Sequence, residues 1–173
     1  ASYPSVKKIE NALALSNSMN EEMPKVRRDG YKLPRRLVDS TSAAPNIAEY
    51  RGHLNTINVD FSNVYWKAPA ASASNAAREL WASSGQPGHM VVHELGHMNH
   101  KFGKTLPDAV NDMETFKEKY ADRIRSEVSR YAATNPSEFV AEYFAGTRAG
   151  SMYSKELQEY YRILGGPVPK KRR

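Results

Sequence analysis

His93, Glu94 and His97 form the pattern HExxH in the run "GHMVVHELGHMNHKFG", Gly88 to Gly103, which holds four of the five histidines. Residues four apart on a helix share a face, so His93 and His97 would offer ring nitrogens to one ion. Glu94 is turned by about a quarter of the helix circumference and reaches water on that ion. Two histidine ligands and a glutamate general base make up the zinc-hydrolase arrangement. The alternative is a surface helix with titrating histidines.

Such a site needs a third protein ligand. A cysteine is impossible, because the chain has none. The extended HExxHxxGxxH pattern requires a glycine at position 100 and a histidine at position 103, and the chain carries His100 and Gly103 instead. A di-iron bundle would need a second Glu-x-x-His pair, and Glu94–His97 has no counterpart. That leaves a carboxylate from elsewhere, and "NPSEFVAEYFAG" offers Glu138 and Glu142, four apart on one helical face. Glu138 either completes a capping box with Asn135 or binds the metal. Glu142 either is a solvated helix charge or accepts a hydrogen bond from a ligand histidine and fixes its ring. Phe139, Val140, Tyr143 and Phe144 on the adjoining face would anchor that helix in the core.

"HELGH" followed by "YAATNPSEFVAEYF" resembles the lethal-factor and Pro-Pro-endopeptidase family of zinc metallopeptidases, over residues 90–100 and 131–144. The resemblance implies a zincin-like fold of the gluzincin type and one Zn2+ per chain held by His93, His97 and Glu138. It also implies that Tyr131, seven residues before Glu138, faces the substrate carbonyl. The family tends to carry an acid three residues after the second ligand histidine, where this chain has His100. His89 and His100 are expected to serve structural or supporting roles, since a cation near a helix C-terminus suits the dipole. His53 is assigned no role.

The elements that must position these residues read as α+β: an N-terminal helix, a small mixed sheet, then a helical half. Residues 4–17 read as a helix with Val6, Ile9 and Leu13 inward. "DG" at 29–30 marks a turn. "RRLVD" and "NTINVDF" read as strands, the second with Ile57, Val59 and Phe61 inward, and "SN" would turn it back into a strand "VYWK". Helices follow over "SNAARELWAS" and from Pro87 to Phe102, with Gly103 as the C′ residue. One long helix from Pro107 to about Ala132 carries Val110, Met113, Phe116, Tyr120, Ile124, Val128 and Tyr131 as a stripe, so that Tyr131 has a core reading too. The last two helices run from Asn135–Pro136 to Gly150 and over "SKELQEYYRILGG", closed by Gly165.

A chain of 173 residues fits one domain, expected over 1–168 with a basic flexible tail at 169–173. With 40% hydrophobic and 25% charged residues the composition is that of a globular protein. No run approaches the roughly 18 apolar residues of a membrane span, and "ASYPSVKKIENALAL" lacks an apolar signal core. The net charge of +6 is concentrated in "KVRRDGYKLPRR" and "PKKRR", which read either as phosphate-contacting clusters or as a solvated loop and tail.

The expected function is a zinc-dependent endopeptidase acting on a peptide or protein held along an edge strand, for which residues 56–61 are the candidate, with Asp60 and the basic 25–36 segment as candidate selectors. The alternatives are a metal-bearing binding or structural module of a toxin or phage particle, and a nucleic-acid-associated protein using the basic clusters. A secreted or delivered effector, or a virion-associated protein, is the expected setting.

Overall fold

The longest apolar stripe in the first thirty residues belongs to Leu15, Met19 and Val26, which the computed structural model buries on one face of α1 (Val6–Arg28). The structure describes residues 6–39, 47–101 and 112–170. Ile9 and Leu13, expected inward, are 45% and 58% exposed. The helix runs eleven residues further than position 17, and the stripe that continues into the added turns is the one that packs. The Asp29–Gly30 turn then reverses the chain, with Gly30 at φ +82°.

Three short strands make one mixed sheet in the order β1-β3-β2. β1 (Arg36–Asp39) pairs parallel with β3 (Thr56–Val59), and β2 (Ala48–Arg51) pairs antiparallel with it. β3 is therefore the central strand, and all four of its residues are buried. This corrects the expectation that 56–61 offers an edge to a substrate. β2, not recognisable in "AEYR", is an edge strand. Thr56 and Asn58 tolerate burial because the Thr56 hydroxyl donates to Asn58 Oδ1 at 3.0 Å. "VYWK" is a 3₁₀ turn, not a strand: Asn63 Oδ1 accepts from the Tyr65 N–H at 2.9 Å, and a side chain that caps so locally competes with ladder pairing. Asp60 is used in the same corner, accepting from Ser62 N at 2.9 Å.

The helical half begins with α2 (Pro69–Arg78) and α3 (His89–Lys101), the histidine helix. Pro87 precedes its first turn, and Phe102, Gly103, Pro107 and Val110 lie outside the described residues. The expected long helix is broken. α4 (Met113–Thr115), a π turn (Phe116–Tyr120) and α5 (Ala121–Glu127) follow one another, and a turn at 128–131 leads into a 3₁₀ turn (Ala132–Thr134). α6 (Pro136–Arg148) and α7 (Lys155–Ile163) complete the chain. α6 buries Phe139, Val140, Tyr143 and Phe144, as expected. One core joins α1, the sheet and α3; a second joins α5, α6 and α7. Among the described residues no helix is long and apolar enough to cross a membrane.

α3 and α6 lie against each other through Gly96. A Cβ placed there would stand 2.9 Å from the Ala141 Cα and 3.3 Å from the Phe144 Cβ. Backbone cannot yield as a flexible side-chain end can, so this glycine sets how closely the two site helices approach. Gly96→Ala is expected to destabilise the protein by about 1–3 kcal/mol through overpacking, read as a lowered midpoint in denaturant. An unchanged midpoint would mean that the helices part without cost.

Candidate metal centre

α3 and α6 cross so that the HExxH histidines face the first two turns of α6. His93 Nε2 lies 2.9 Å from Glu138 Oε2, and His97 Nε2 lies 3.1 Å from the same oxygen. The two ring nitrogens are themselves 3.1 Å apart. Three donor atoms from two helices thus form a closed triangle. Asn135 does cap α6, accepting from Glu138 N at 2.9 Å, so the backbone of Glu138 serves the cap while its carboxylate serves the histidines. Ser137 Oγ stands 3.3 Å from His97 Nδ1 and steadies the outer ring.

Behind the triangle, Glu142 is wholly buried and is the acceptor for four groups. His93 Nδ1 and His89 Nε2 lie 2.7 and 2.8 Å from its Oε1. Ser83 N–H and Ser129 O–H donate to its Oε2 at 2.6 and 3.1 Å. A carboxylate is acceptor-only with about four lone-pair sites, and here each site is used. The reading of Glu142 as a solvated helix charge is thereby excluded. His89, 1% exposed, continues the chain of contacts to Ser84 Oγ, 2.9 Å from its Nδ1.

By donor type, His89, His93 and Glu142 form a buried group that could hold a metal ion, their ligand atoms lying within 4.8 Å of one another. His93, Glu94 and His97 meet the same criterion. The two groups differ in access. His89, His93 and Glu142 have side chains 0–2% exposed, while His97 and Glu138 are 20% and 18% exposed, so the His93–His97–Glu138 triangle is the more open of the two arrangements.

That opening is a cleft of about 240 Å³ lined by Ala48, Glu49, Tyr50, Glu94, His97, Tyr131 and Glu138. Its wall is the free edge of β2. Tyr50 N–H points away from β3 and donates to Glu94 Oε2 at 2.7 Å, and among the described residues Oε1 of that carboxylate has no hydrogen-bond donor. Ala48, two residues earlier, turns its backbone groups the same way. Tyr131 stacks on the His93 ring at 5.4 Å and 23°, and Trp81 stacks on Tyr131 at 5.7 Å and 21°. The backbone repeats this contact, with Arg130 N donating to Leu80 O at 2.6 Å and Tyr131 N to Trp81 O at 3.3 Å. The break after α5 is what frees Ser129 and Tyr131 to turn into the site; a continued helix would have kept Tyr131 in the apolar stripe.

Neither Trp81 nor the serines Ser83 and Ser129 were distinguishable in the sequence, since no spacing marks them. His100 has a structural role, its Nε2 lying 2.8 Å from Leu164 O at the end of α7. Burial lowers its pKa despite that contact. His53 is exposed in the 52–55 turn.

The charges are strongly coupled. Burial alone would depress His93, but hydrogen bonds to Glu138 and Glu142 reverse this and raise its pKa from 6.5 to about 10. Burial would raise Glu138, yet its bonds to His93 and His97 bring it from 4.5 down to about 2. Burial raises Glu94, against the opposing charges of His93 and His97. Burial, with the charge of Glu138, also raises Tyr131, so its hydroxyl keeps its proton.

These shifts have signs that can be tested on chelator-treated protein. The stability contributed by the raised His93 is present below pH 6.5 and lost as pH climbs through about 10. That from the depressed Glu138 is present above pH 4.5 and lost as pH falls through about 2. Metal requires a deprotonated His93 and must displace its proton. The melting-temperature gain on adding a divalent metal is therefore expected to widen steadily from about pH 5 to pH 9, measured by paired thermal melts. A gain that is flat with pH would remove His93 from the ligand set.

No protein-family model, curated protein or solved structure matches this chain.

Proposed function

We propose that the protein is a zinc-dependent endopeptidase of the lethal-factor-like, zincin-type class, with His93, His97 and Glu138 as the metal ligands. The observation that carries this reading is the triangle of donor atoms, with edges of 2.9, 3.1 and 3.1 Å. Ligand atoms at about 2.0–2.1 Å from zinc in tetrahedral geometry stand about 3.3 Å apart, so the side chains present fit the ion with small adjustment. Two imidazoles and one carboxylate leave a coordination position for water or substrate, as catalytic sites do. Nitrogen and carboxylate ligands alone admit other divalent ions. The open cleft beside the triangle, and an unheld Glu94 oxygen within it, favour zinc chemistry on a bound chain over a closed structural site.

Zinc, when bound, supplies Lewis acidity that brings the pKa of water toward neutrality. The remaining parts are the chain's own. Glu94 Oε1 takes a proton from the attacking water, while Tyr50 N–H holds Oε2 and so the carboxylate's orientation. The hydroxyl oxygen bonds to the peptide carbon, the C–N bond breaks, and the proton on Glu94 passes to the departing nitrogen. Tyr131, protonated and stacked on His93, donates to the carbonyl oxygen as its charge develops. Glu142 and His89 keep the His93 ring turned with Nε2 toward Glu138. An extended substrate aligns along β2, using the backbone groups of Ala48 and the carbonyl of Tyr50, whose N–H stays on Glu94, and side chains to either face.

The test is cleavage-site profiling on a peptide library, with and without chelator, together with metal analysis. About one zinc per chain and chelator-sensitive cleavage are expected. Purified protein that takes up no zinc refutes the assignment; zinc uptake without cleavage leaves a metal-bearing binding module.

A further inference from the structure

Trp81 is 48% exposed and belongs to neither hydrophobic core, yet the backbone around it is closely fixed. α2 closes with a pair of bonds, Trp81 N–H donating to Ala76 O at 2.8 Å and Leu80 N–H to Ala77 O at 3.0 Å. A closure of this kind turns on one residue in the left-handed region, normally a glycine. Here that residue is Leu80, at φ +55°. Its side chain is itself 48% exposed, so burial does little to offset the strain. Such a conformation persists where the surroundings over-determine it. The surroundings are Arg130 and Tyr131, whose N–H groups donate to Leu80 O and Trp81 O. Beyond Trp81 the same segment supplies Ser83 to Glu142 and Ser84 to His89.

This turn lays the Trp81 ring on Tyr131, with centroids 5.7 Å apart and planes 21° from parallel. Tyr131 lies on the His93 ring in the same manner, at 5.4 Å and 23°. His93, Tyr131 and Trp81 are thus a series of stacked rings with Tyr131 in the middle. Tyr131 stands in the turn between α5 and the 3₁₀ turn, where no helix selects its side-chain rotamer. Left to itself, such a ring samples several staggered wells. Stacking selects one of them through the ring faces alone, and the hydroxyl stays available to donate.

We infer that Trp81 is a positioning residue for Tyr131, holding the phenol against His93 with its edge in the cleft that it lines. The role rests on the peptidase reading above, in which Tyr131 donates to the carbonyl oxygen as its charge develops. A donor stabilises that charge only when it stands within hydrogen-bond distance of where the oxyanion forms. Trp81 does not line the cleft, so it acts through Tyr131 and not by touching the chain being cut.

The experiment is a double-mutant cycle on the full, zinc-loaded chain, read by steady-state cleavage of a library-derived peptide. Trp81→Ala is expected to lower kcat about tenfold with KM unchanged, the scale on which one aromatic pair biases a ring's position. Trp81→Phe keeps a stacking face and should recover most of that loss. Added to Tyr131→Phe, Trp81→Ala should cost nothing more, because the hydroxyl that it positions is already gone. Zinc content should match that of the unaltered protein in every variant. An equal loss in both backgrounds would show that Trp81 supports the fold rather than the donor. A raised KM at constant kcat would show that it touches substrate. Either result, or no loss at all, overturns the inference and leaves the peptidase reading standing. Unaltered protein that takes up no zinc, or cuts no peptide, ends both.

Discussion

Glu94→Gln is expected to bind one zinc ion as tightly as the unaltered protein and to lose peptide cleavage by about 10³-fold, the scale of a lost general base. The amide keeps the shape of the side chain, and its carbonyl oxygen still accepts from Tyr50 N–H. What it cannot do is take a proton. Metal is retained because the triangle comprises His93, His97 and Glu138 and leaves Glu94 out. Tyr131→Phe should cost less, up to about 3 kcal/mol in kcat/KM, as for one donor to a developing oxyanion. Steady-state cleavage of a library-derived peptide, with metal analysis of the same samples, separates the two effects. Cleavage that survives Glu94→Gln would mean that the proton goes elsewhere.

Glu142→Gln is the second large effect, and it falls on stability and metal together. Four donors converge on this carboxylate: His89 Nε2, His93 Nδ1, Ser83 N–H and Ser129 O–H. An amide replaces one acceptor oxygen with a donor, which then faces donors in a site closed to water. Leaving a buried charge partner uncompensated costs about 3–5 kcal/mol, a large share of the 5–15 kcal/mol typical of a domain. The His93 ring also loses what orients it, and metal affinity should drop about 10–100-fold. Denaturant unfolding of chelated protein reads the first effect, and competition titration with a zinc indicator reads the second. If affinity falls while the chelated protein keeps its stability, Glu142 orients His93 without supporting the fold.

The π turn and the break after α5 show where pattern reading ends. Phe116, Ile124 and Val128 are buried as their spacing implies, yet the helix stops at Glu127. Burying Ser129 against Glu142 and stacking Tyr131 on His93 override the local preference to continue. Nothing within 113–131 announces those partners, because they lie on α3 and α6. The sheet was partly legible for the opposite reason. β3 is marked by Ile57 and Val59, whereas β2 is four half-buried residues defined by their pairing alone.

By itself, the sequence determined the chemistry available: two imidazoles and a base on one helix, a pair of carboxylates one turn apart on another, and no thiol. Helical spacing is local, so these face relations hold whatever the rest of the chain does. The tertiary structure alone decided that both helices meet across Gly96, that Glu138 faces the cleft while Glu142 is sealed behind it, and that Lys170 docks against the Asp29–Gly30 turn. Each of those depends on contacts between residues dozens of positions apart, which a spacing rule cannot reach and which packing settles.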